Sequence, residues 1–437
     1  MTEHPDFGGE IVWQPTAETI EHANLTRFML ANHLPDYSAL MARSVSDVAW
    51  FTEAVLEFLE IEFSHPYRQV VDLSAGIQWP RWCVGGQMNI VHNCLDKYQG
   101  AAKQEQVAFI WEAEEGTTLQ VTYGELYRQV NQAANALRGL GLGKGSPVGI
   151  FMPMIPEIVV ALLAVAKIGG IILPLFSGYG AGAVATRLRD ADAVALFTAD
   201  GFYRRGKPVL MKTTADQAVE GLEGFRNMIV VNRIGSEIPF QPGRDHWWHE
   251  FVTAQEDEAR TEPTSAEDPL MVIYTSGTTG RPKGALHTHC GFPVKAAQDM
   301  AFGTDVHPED LIYWMTDMGW MMGPWLVFGA LILGAKFLIY DGSPDYPGPD
   351  RLWQMVEDHR ITTLGVSPTL VRALIPKGDE QHRSKDLSSL RFFASTGEPW
   401  NREPWMWLFE NVGARRAPII NYSGGTEISG GILMGNP

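Results

Sequence analysis

Residues Leu270 to Gly284 read "LMVIYTSGTTGRPKG". The apolar opening predicts a buried strand that runs directly into a loop of glycine and hydroxyl residues. A loop leaving the end of a buried strand can aim successive backbone N–H groups at an anion, provided its residues tolerate unusual φ/ψ values. Gly277, Gly280 and Gly284 supply that tolerance. Ser276, Thr278 and Thr279 add hydroxyl donors, and Lys283 adds a compact positive charge. The ligand implied is a polyphosphate. The G-x-x-x-x-G-K-[ST] loop of kinases and GTPases is excluded, because Lys283 is followed by Gly284 and the spacing differs.

Outward from this loop the pattern alternates between strand and helix. Upstream, "VAFIWE", "PVGIFM", "IILPLF", "AVALFT" and "NMIVVN" read as strands. A helix opened by Thr122, with Glu125 three residues on, closes at Gly139 or Gly141, and Pro156 opens another. Downstream, "AKFLIY", "TTLGVS", "LRFFAST" and "APIINYSGGTE" continue the alternation. Strands separated by helices imply a parallel-rich sheet covered on both faces, hence an α/β fold. The charged, proline-bearing "AQEDEARTEPTSAEDP" is expected to cross the surface between subdomains. The expected organisation is a helical, partly irregular region over 1–100, a first α/β subdomain over 101–260, and a second over 261–437 that carries the chemistry. In the first region, "SVSDVAWFTEAVLEFLEI" predicts a docked amphipathic helix capped by Ser46, with Val48, Phe51, Val55, Phe58 and Leu59 on one face.

The chain has 437 residues, 45% hydrophobic and 19% charged, which is globular composition with ample core material. Its formal net charge of −17 repels nucleic-acid phosphate and anionic membranes, so a nucleic-acid partner is not expected. Cys83, Cys94 and Cys290 lack disulfide or zinc spacing, and "MTEHPDFGGEIVW" lacks the features of a signal peptide, so a cytoplasmic setting is expected. The uncharged run from Met318 to Ala335 is broken by glycines and Pro324. It predicts a loop, a buried helix and a strand rather than a membrane span.

"YTSGTTGRPKG" resembles the phosphate-loop signature of the adenylate-forming enzymes. "MPMIPEIVVALLAVAKIGG", "STGEPWN" and "NYSGGTE" resemble the corresponding helix, adenine-binding segment and second nucleotide motif of acyl-CoA synthetases. "FTEAVLEFLEIEF" is similar to the leading segment of acetyl-, propionyl- and acetoacetyl-CoA synthetases, and "SGGTE" is closer to the acetoacetyl form. The resemblance implies the large N-terminal domain of that family, two parallel-rich sheets flanked by helices. It implies two steps using ATP, Mg²⁺ and CoA: a carboxylate attacks the α-phosphate of ATP to give acyl-AMP and pyrophosphate, then the CoA thiol displaces AMP. Positioned donors and Mg²⁺ would supply most of the rate.

The same resemblance assigns residues one at a time. Thr275 to Gly280 and Lys283 match the loop holding the β- and γ-phosphates. Thr426 matches the α-phosphate contact and Glu427 the Mg²⁺ ligand, an oxygen donor suited to a hard cation; Glu427 otherwise reads as a carboxylate at a helix N-terminus. Thr426, Glu427 and Lys283 are the catalytic candidates. Gly397, Glu398 and Pro399 match the segment against adenine, Asn421 faces its amino group, and Ser423, Gly424 and Gly425 complete the motif. Tyr422 either lies alongside the base or packs in the core. Arg204 and Lys207, in "YRRGKP", match CoA-nucleotide contacts or form a solvated turn. His287 and His289 are expected to pack or bond locally.

The acyl pocket is expected at Trp320, Met321, Met322, Thr396 and Gly424. Acetyl-activating members place a tryptophan where Gly424 stands, so its absence implies an acid larger than acetate: short to medium chain, branched, keto or small aryl. The alternative is that Met321 and Met322 refill the space. Members of the family continue past this motif through a ribose-binding aspartate, a hinge and a small lysine-bearing domain, none of which lies within Met1 to Pro437. The leading expectation is the large N-terminal part of an AMP-forming acyl-CoA synthetase, inactive or weak by itself; the alternatives are a fragment that binds nucleotide or acyl-adenylate without turnover, and an adenylating enzyme that loads a carrier protein.

Overall fold

A computed structural model of the chain describes residues 11–275 and 282–436. In the N-terminal region two short helices, Ala17–His22 and Asn24–Ala31, precede helices α1 (Tyr37–Ser46) and α2 (Val48–Phe58). Asp47, not Ser46, caps α2. Its carboxylate accepts from the Trp50 N–H at 3.0 Å, whereas Ser46 ends α1 and its hydroxyl donates back to the Arg43 carbonyl. A carboxylate at a helix start also meets the positive end of the dipole. The buried face of α2 is Ala54, Val55 and Leu56 with Leu59 just beyond, and Val48 is exposed. The region does not stand apart from the rest of the protein. The Phe28 ring meets Phe51, Phe58 and Phe302, and Phe28 and Val55 share one apolar core with the sheets.

The hairpin β1 (Gln69–Asp72) and β2 (Arg81–Val84) precedes the large sheets. Strands β3 (Val107–Ala113) and β4 (Thr118–Thr122) form an antiparallel pair. Helix α3 (Tyr123–Gly139) follows, opened by a complete capping box between Thr122 and Glu125, and Gly141 turns the chain away at φ +77°. Strand β5 (Pro147–Ile150), helix α4 (Pro156–Lys167, with Pro156 in its first turn), β6 (Ile171–Pro174) and β7 (Ala195–Ala199) continue the alternation. A small hairpin, β8 (Gly201–Arg204) and β9 (Lys207–Leu210), interrupts it before β10 (Asn227–Val231), β11 (Asp245–Trp247), β12 (Pro269–Thr275) and β13 (Lys283–Thr288). Then come α5 (Phe292–Gly303), β14 (Leu311–Trp314), α6 (Met322–Ile332), β15 (Lys336–Asp341), β16 (Thr363–Val366), α7 (Pro368–Leu374), β17 (Phe392–Ser395) and β18 (Ile419–Asn421). A last hairpin joins β19 (Ser423–Gly425) to β20 (Gly430–Leu433).

Among the described residues, two seven-stranded sheets run in the orders β11-β10-β7-β5-β6-β12-β13 and β18-β17-β16-β14-β15-β3-β4. Their membership is interleaved along the chain rather than divided near residue 260. β3 pairs parallel with β15, Phe109 opposite Phe337, so the first strands of the 101–260 stretch belong to the second sheet. β12 pairs with β6, Met271 opposite Ile172, so the strand entering the glycine loop belongs to the first sheet. The physical reason is burial: both are apolar runs, and each takes an interior position in a sheet where both its edges are paired and helices can cover both faces. One core cluster spans both sheets, with α3 to α6 contributing to it.

The run from Met318 to Ala335 folds as a loop and the fully buried helix α6, with β15 after it. Among the described residues no helix is long and apolar enough to cross a membrane. The charged crossing near 254–260 lies along α3. Asn131, Asn135 and Arg138 donate to the carbonyls of Asp257, of Glu256 and Glu258, and of Arg260.

Candidate active site

Ser276, Gly277, Thr278, Thr279 and Gly280 lie outside the described residues. The two sides of that loop are described: Thr275 ends β12 and Lys283 begins β13 directly opposite it in the antiparallel ladder. Lys283 is exposed at the root of the loop. Four residues further along β13, the His287 Nδ1 stands 2.9 Å from the Ser429 hydroxyl, 142 positions away in sequence. Ser429 closes the short 3₁₀ turn Thr426–Ile428. This contact brings the second motif beside the strand that leaves the glycine loop. Thr426 is partly exposed, and Glu427 is exposed with no ion pair among the described residues. Burial pushes His287 down to about 4 against the pull of the Glu427 carboxylate, so the imidazole is neutral. His289 is lowered to about 4 by the same cause, and its Nδ1 accepts from the Ile90 N–H at 3.2 Å.

The adenine-type segment forms where β17 and β18 end side by side, Ser395 opposite Asn421. The Thr396 hydroxyl donates to the Tyr422 carbonyl at 2.6 Å, and Gly397 turns the chain at φ +100°. Glu398 accepts from the Thr369 N–H at 2.7 Å and pairs with Arg372, which anchors the segment to the first turn of α7. Pro399 and Asn421 are exposed beside it. All these residues follow the carboxyl ends of parallel strands, where open α/β sheets place ligands. Tyr422 does not lie on that surface. Its ring is 3% exposed and meets the Trp325 ring edge-on at 6.0 Å, and its hydroxyl donates to Asp299 Oδ2 at 2.7 Å. The core-packing alternative holds for its side chain, because a large ring with one satisfied polar tip is most stable inside.

The acyl-pocket reading needs correction at three positions. A Cβ on Gly424 would stand 2.0 Å from the Gly430 carbonyl oxygen, so the backbone of β20 occupies the place where a side chain would project. Glycine is required there by close backbone approach, and its presence opens no cavity. Met321 and Met322 are buried in the main core. Trp320, 47% exposed, lines a cavity.

That cavity, of about 430 Å³, lies at the ends of β6, β14 and β15 and is lined by Met154, Phe176, Arg204, Asp317, Trp320 and Tyr340 among others. Arg204 donates to the Gly342 carbonyl at 2.8 Å, and Lys207 pairs with it across the β8–β9 hairpin and is exposed. Asp317 accepts from the Ser177 hydroxyl at 2.6 Å and from the Gly319 N–H at 2.8 Å, yet burial raises it to about 6. Asp341, bonded to Arg233 at 3.1 Å, is raised to about 6 by the same cause. Sequence reading missed Asp317, Asp341 and Asp299. For Asp317 and Asp341 the available signal was an acid placed beside an apolar run, since buried carboxylates are rare unless partnered, whereas Asp299 on its helix gave none.

Comparison with known proteins shows the family. A model described as AMP-binding enzyme matches residues 97–437, and one described as acetyl-coenzyme A synthetase N-terminus matches residues 37–94. An acetyl-coenzyme A synthetase of Methanothrix thermoacetophila is 40% identical over 381 residues, covering 85% of this chain and 57% of the relative. One from Streptomyces avermitilis is 38% identical over 425 residues, covering 97% and 63%. The solved acetoacetyl-CoA synthetase from Streptomyces lividans superimposes with a TM-score of 0.90 at 32% identity, over 98% of this chain and 66% of that one. This chain thus spans about three fifths of the length of these relatives. With a family model covering residues 97–437, the chain belongs to the AMP-binding enzymes.

Proposed function

We propose that this chain is the nucleotide- and acyl-binding part of an AMP-forming acid–thiol ligase, which converts a carboxylic acid and ATP to acyl-AMP and then to acyl-CoA. The observation that carries the reading is the contact between His287 and Ser429, which sets Thr426 and Glu427 beside the strand leaving the glycine loop. In the proposal Lys283 and the loop hold the outer phosphates, Thr426 donates to the α-phosphate, and Thr396 to Pro399 with Asn421 hold the adenine. Glu427 fits Mg²⁺: it is an exposed oxygen donor without a competing cation among the described residues, and Mg²⁺ keeps to one or two carboxylates plus substrate phosphates. When bound, the ion would neutralise charge on the phosphates. The Arg204-lined cavity is the proposed CoA side, with Arg204 and Lys207 as its phosphate contacts.

An acid larger than acetate remains part of the proposal. Its support is the solved acetoacetyl-CoA synthetase that superimposes on this chain, whose name carries an acid larger than acetate, and not any space at Gly424, which the β20 main chain fills. A cytoplasmic setting is also proposed, on three unpaired cysteines.

The test is native mass spectrometry of the chain with stable acyl-adenylate analogues carrying acetyl, butyryl, acetoacetyl and benzoyl groups. Retention favouring the larger groups is expected. Acetyl-only retention overturns the acid-size reading, and no retention of any analogue overturns the site. CoA-dependent release of AMP separates the CoA reading from loading of a carrier protein.

A further inference from the structure

Tyr422 and Gly431 flank the segment that carries Thr426 and Glu427, and both ends meet one buried oxygen. Asp299, on α5 and 3% exposed, accepts at Oδ2 from the Tyr422 hydroxyl at 2.7 Å and from the Gly431 N–H at 3.1 Å. Its Oδ1 pairs with Lys295, one turn earlier on the same helix. The fit leaves no slack, since a Cβ on Gly430 would lie 2.5 Å from Asp299 Oδ2. Helix α5 in turn follows β13, so Asp299 ties the second motif to the element that continues from the glycine loop. Between the two tethered ends, the His287–Ser429 bond holds the turn against β13.

We propose that Asp299 is a positioning residue: its carboxylate closes the base of the β19–β20 hairpin and so sets Thr426 and Glu427 at a fixed height above β13. The inference rests on the functional reading above. Asp299 touches no substrate in this arrangement and acts through Tyr422 and Gly431. A buried carboxylate suits the task because a charge-assisted acceptor can hold two donors in fixed directions. An amide at the same place presents only one acceptor oxygen and loses the Lys295 pairing.

The test compares two ligands that differ in which part of the site they need. Mg²⁺-ATP depends on Thr426 and Glu427, whereas adenosine depends on Thr396 to Pro399 and Asn421, which precede the tether. Binding of each to the full chain is measured by calorimetry for wild type, Asp299→Asn and Tyr422→Phe, with thermal melting as a control. Asp299→Asn is expected to weaken Mg²⁺-ATP about tenfold and to leave adenosine within about twofold. Tyr422→Phe, which keeps the ring and removes one donor, is expected to shift Mg²⁺-ATP in the same direction by less. Parallel loss of both ligands would mean a general structural role and overturn the proposal, as would unchanged Mg²⁺-ATP binding in both folded variants. A wild-type chain that binds neither Mg²⁺-ATP nor an acyl-adenylate analogue fails differently, because it removes the functional reading itself.

Discussion

Gly424→Ala separates the two readings of the second motif. If the missing indole left open space, a methyl group there would be harmless. It would even stabilise slightly, by about 0.4–1 kcal/mol, through the unfolded chain. The structure says otherwise. The new Cβ would sit 2.0 Å from the Gly430 carbonyl oxygen, and real Cβ atoms essentially never come within 3.0 Å. The carbonyl must therefore retreat by about 1 Å, yet its neighbour Gly431 is bonded to Asp299. Overpacking of this kind costs roughly 1–3 kcal/mol. Because a chain of this size has parts that open separately, the cost is best read locally, as hydrogen exchange of residues 423–433. At about 1.4 kcal/mol per factor of ten, exchange there should rise about 5- to 150-fold while the strands of the first sheet stay unchanged. Exchange within twofold of wild type, with butyryl-adenylate analogue binding intact, would refute the close-approach argument and restore the open-pocket reading.

Glu427→Gln should abolish the gain in ATP affinity that Mg²⁺ confers and leave adenosine binding unchanged, as measured by calorimetry with and without the metal; an undiminished gain would remove Glu427 from the metal role. Arg204→Ala should weaken CoA binding by at least severalfold without altering acyl-adenylate retention, and equal CoA affinity would return Arg204 to a surface turn. His289 is held neutral by burial, with its pKa lowered from 6.5 to about 4. A lowered folded-state value means its stabilisation is present above about 6.5 and lost as pH falls toward 4, by at most about 3 kcal/mol. Asp317 and Asp341, raised to about 6, titrate in the opposite sense over part of that window. The check is therefore the difference in melting temperature between wild type and His289→Asn across pH 7 to 4. Wild type should lose stability relative to the variant as pH falls, and parallel curves would contradict the assignment.

The elements themselves were legible because local chemistry fixes them. Thr122 and Glu125 build a capping box wherever they occur before an amphipathic run, Pro156 starts a helix because its missing N–H is not needed there, and continuous apolar runs must be covered on both faces. The one error at this level, Ser46 for Asp47, arose because two acceptable caps stood side by side and only the backbone decides which faces the first turn. The glycine and hydroxyl loop carries the phosphate-site proposal for the same reason, since its residue types have few other uses in that order, and its residues 276–281 lie outside the described ones.

Pairing partners are different. That β3 lies beside β15 and β12 beside β6 depends on which buried edge each strand reaches, and nothing within either strand encodes it. The same holds for Gly424. In sequence it is an absent side chain, and only the returning β20 strand shows that the space is already filled. Asp299 was invisible for a related reason: an acid in a helix reads as solvated until its neighbours bury it against Tyr422 and Gly431. Sequence alone determined the elements and the α/β class of this protein, because those follow from interactions a few residues apart. The tertiary structure alone decided sheet membership and the tether behind the second motif, because those rest on contacts between segments more than 90 positions apart.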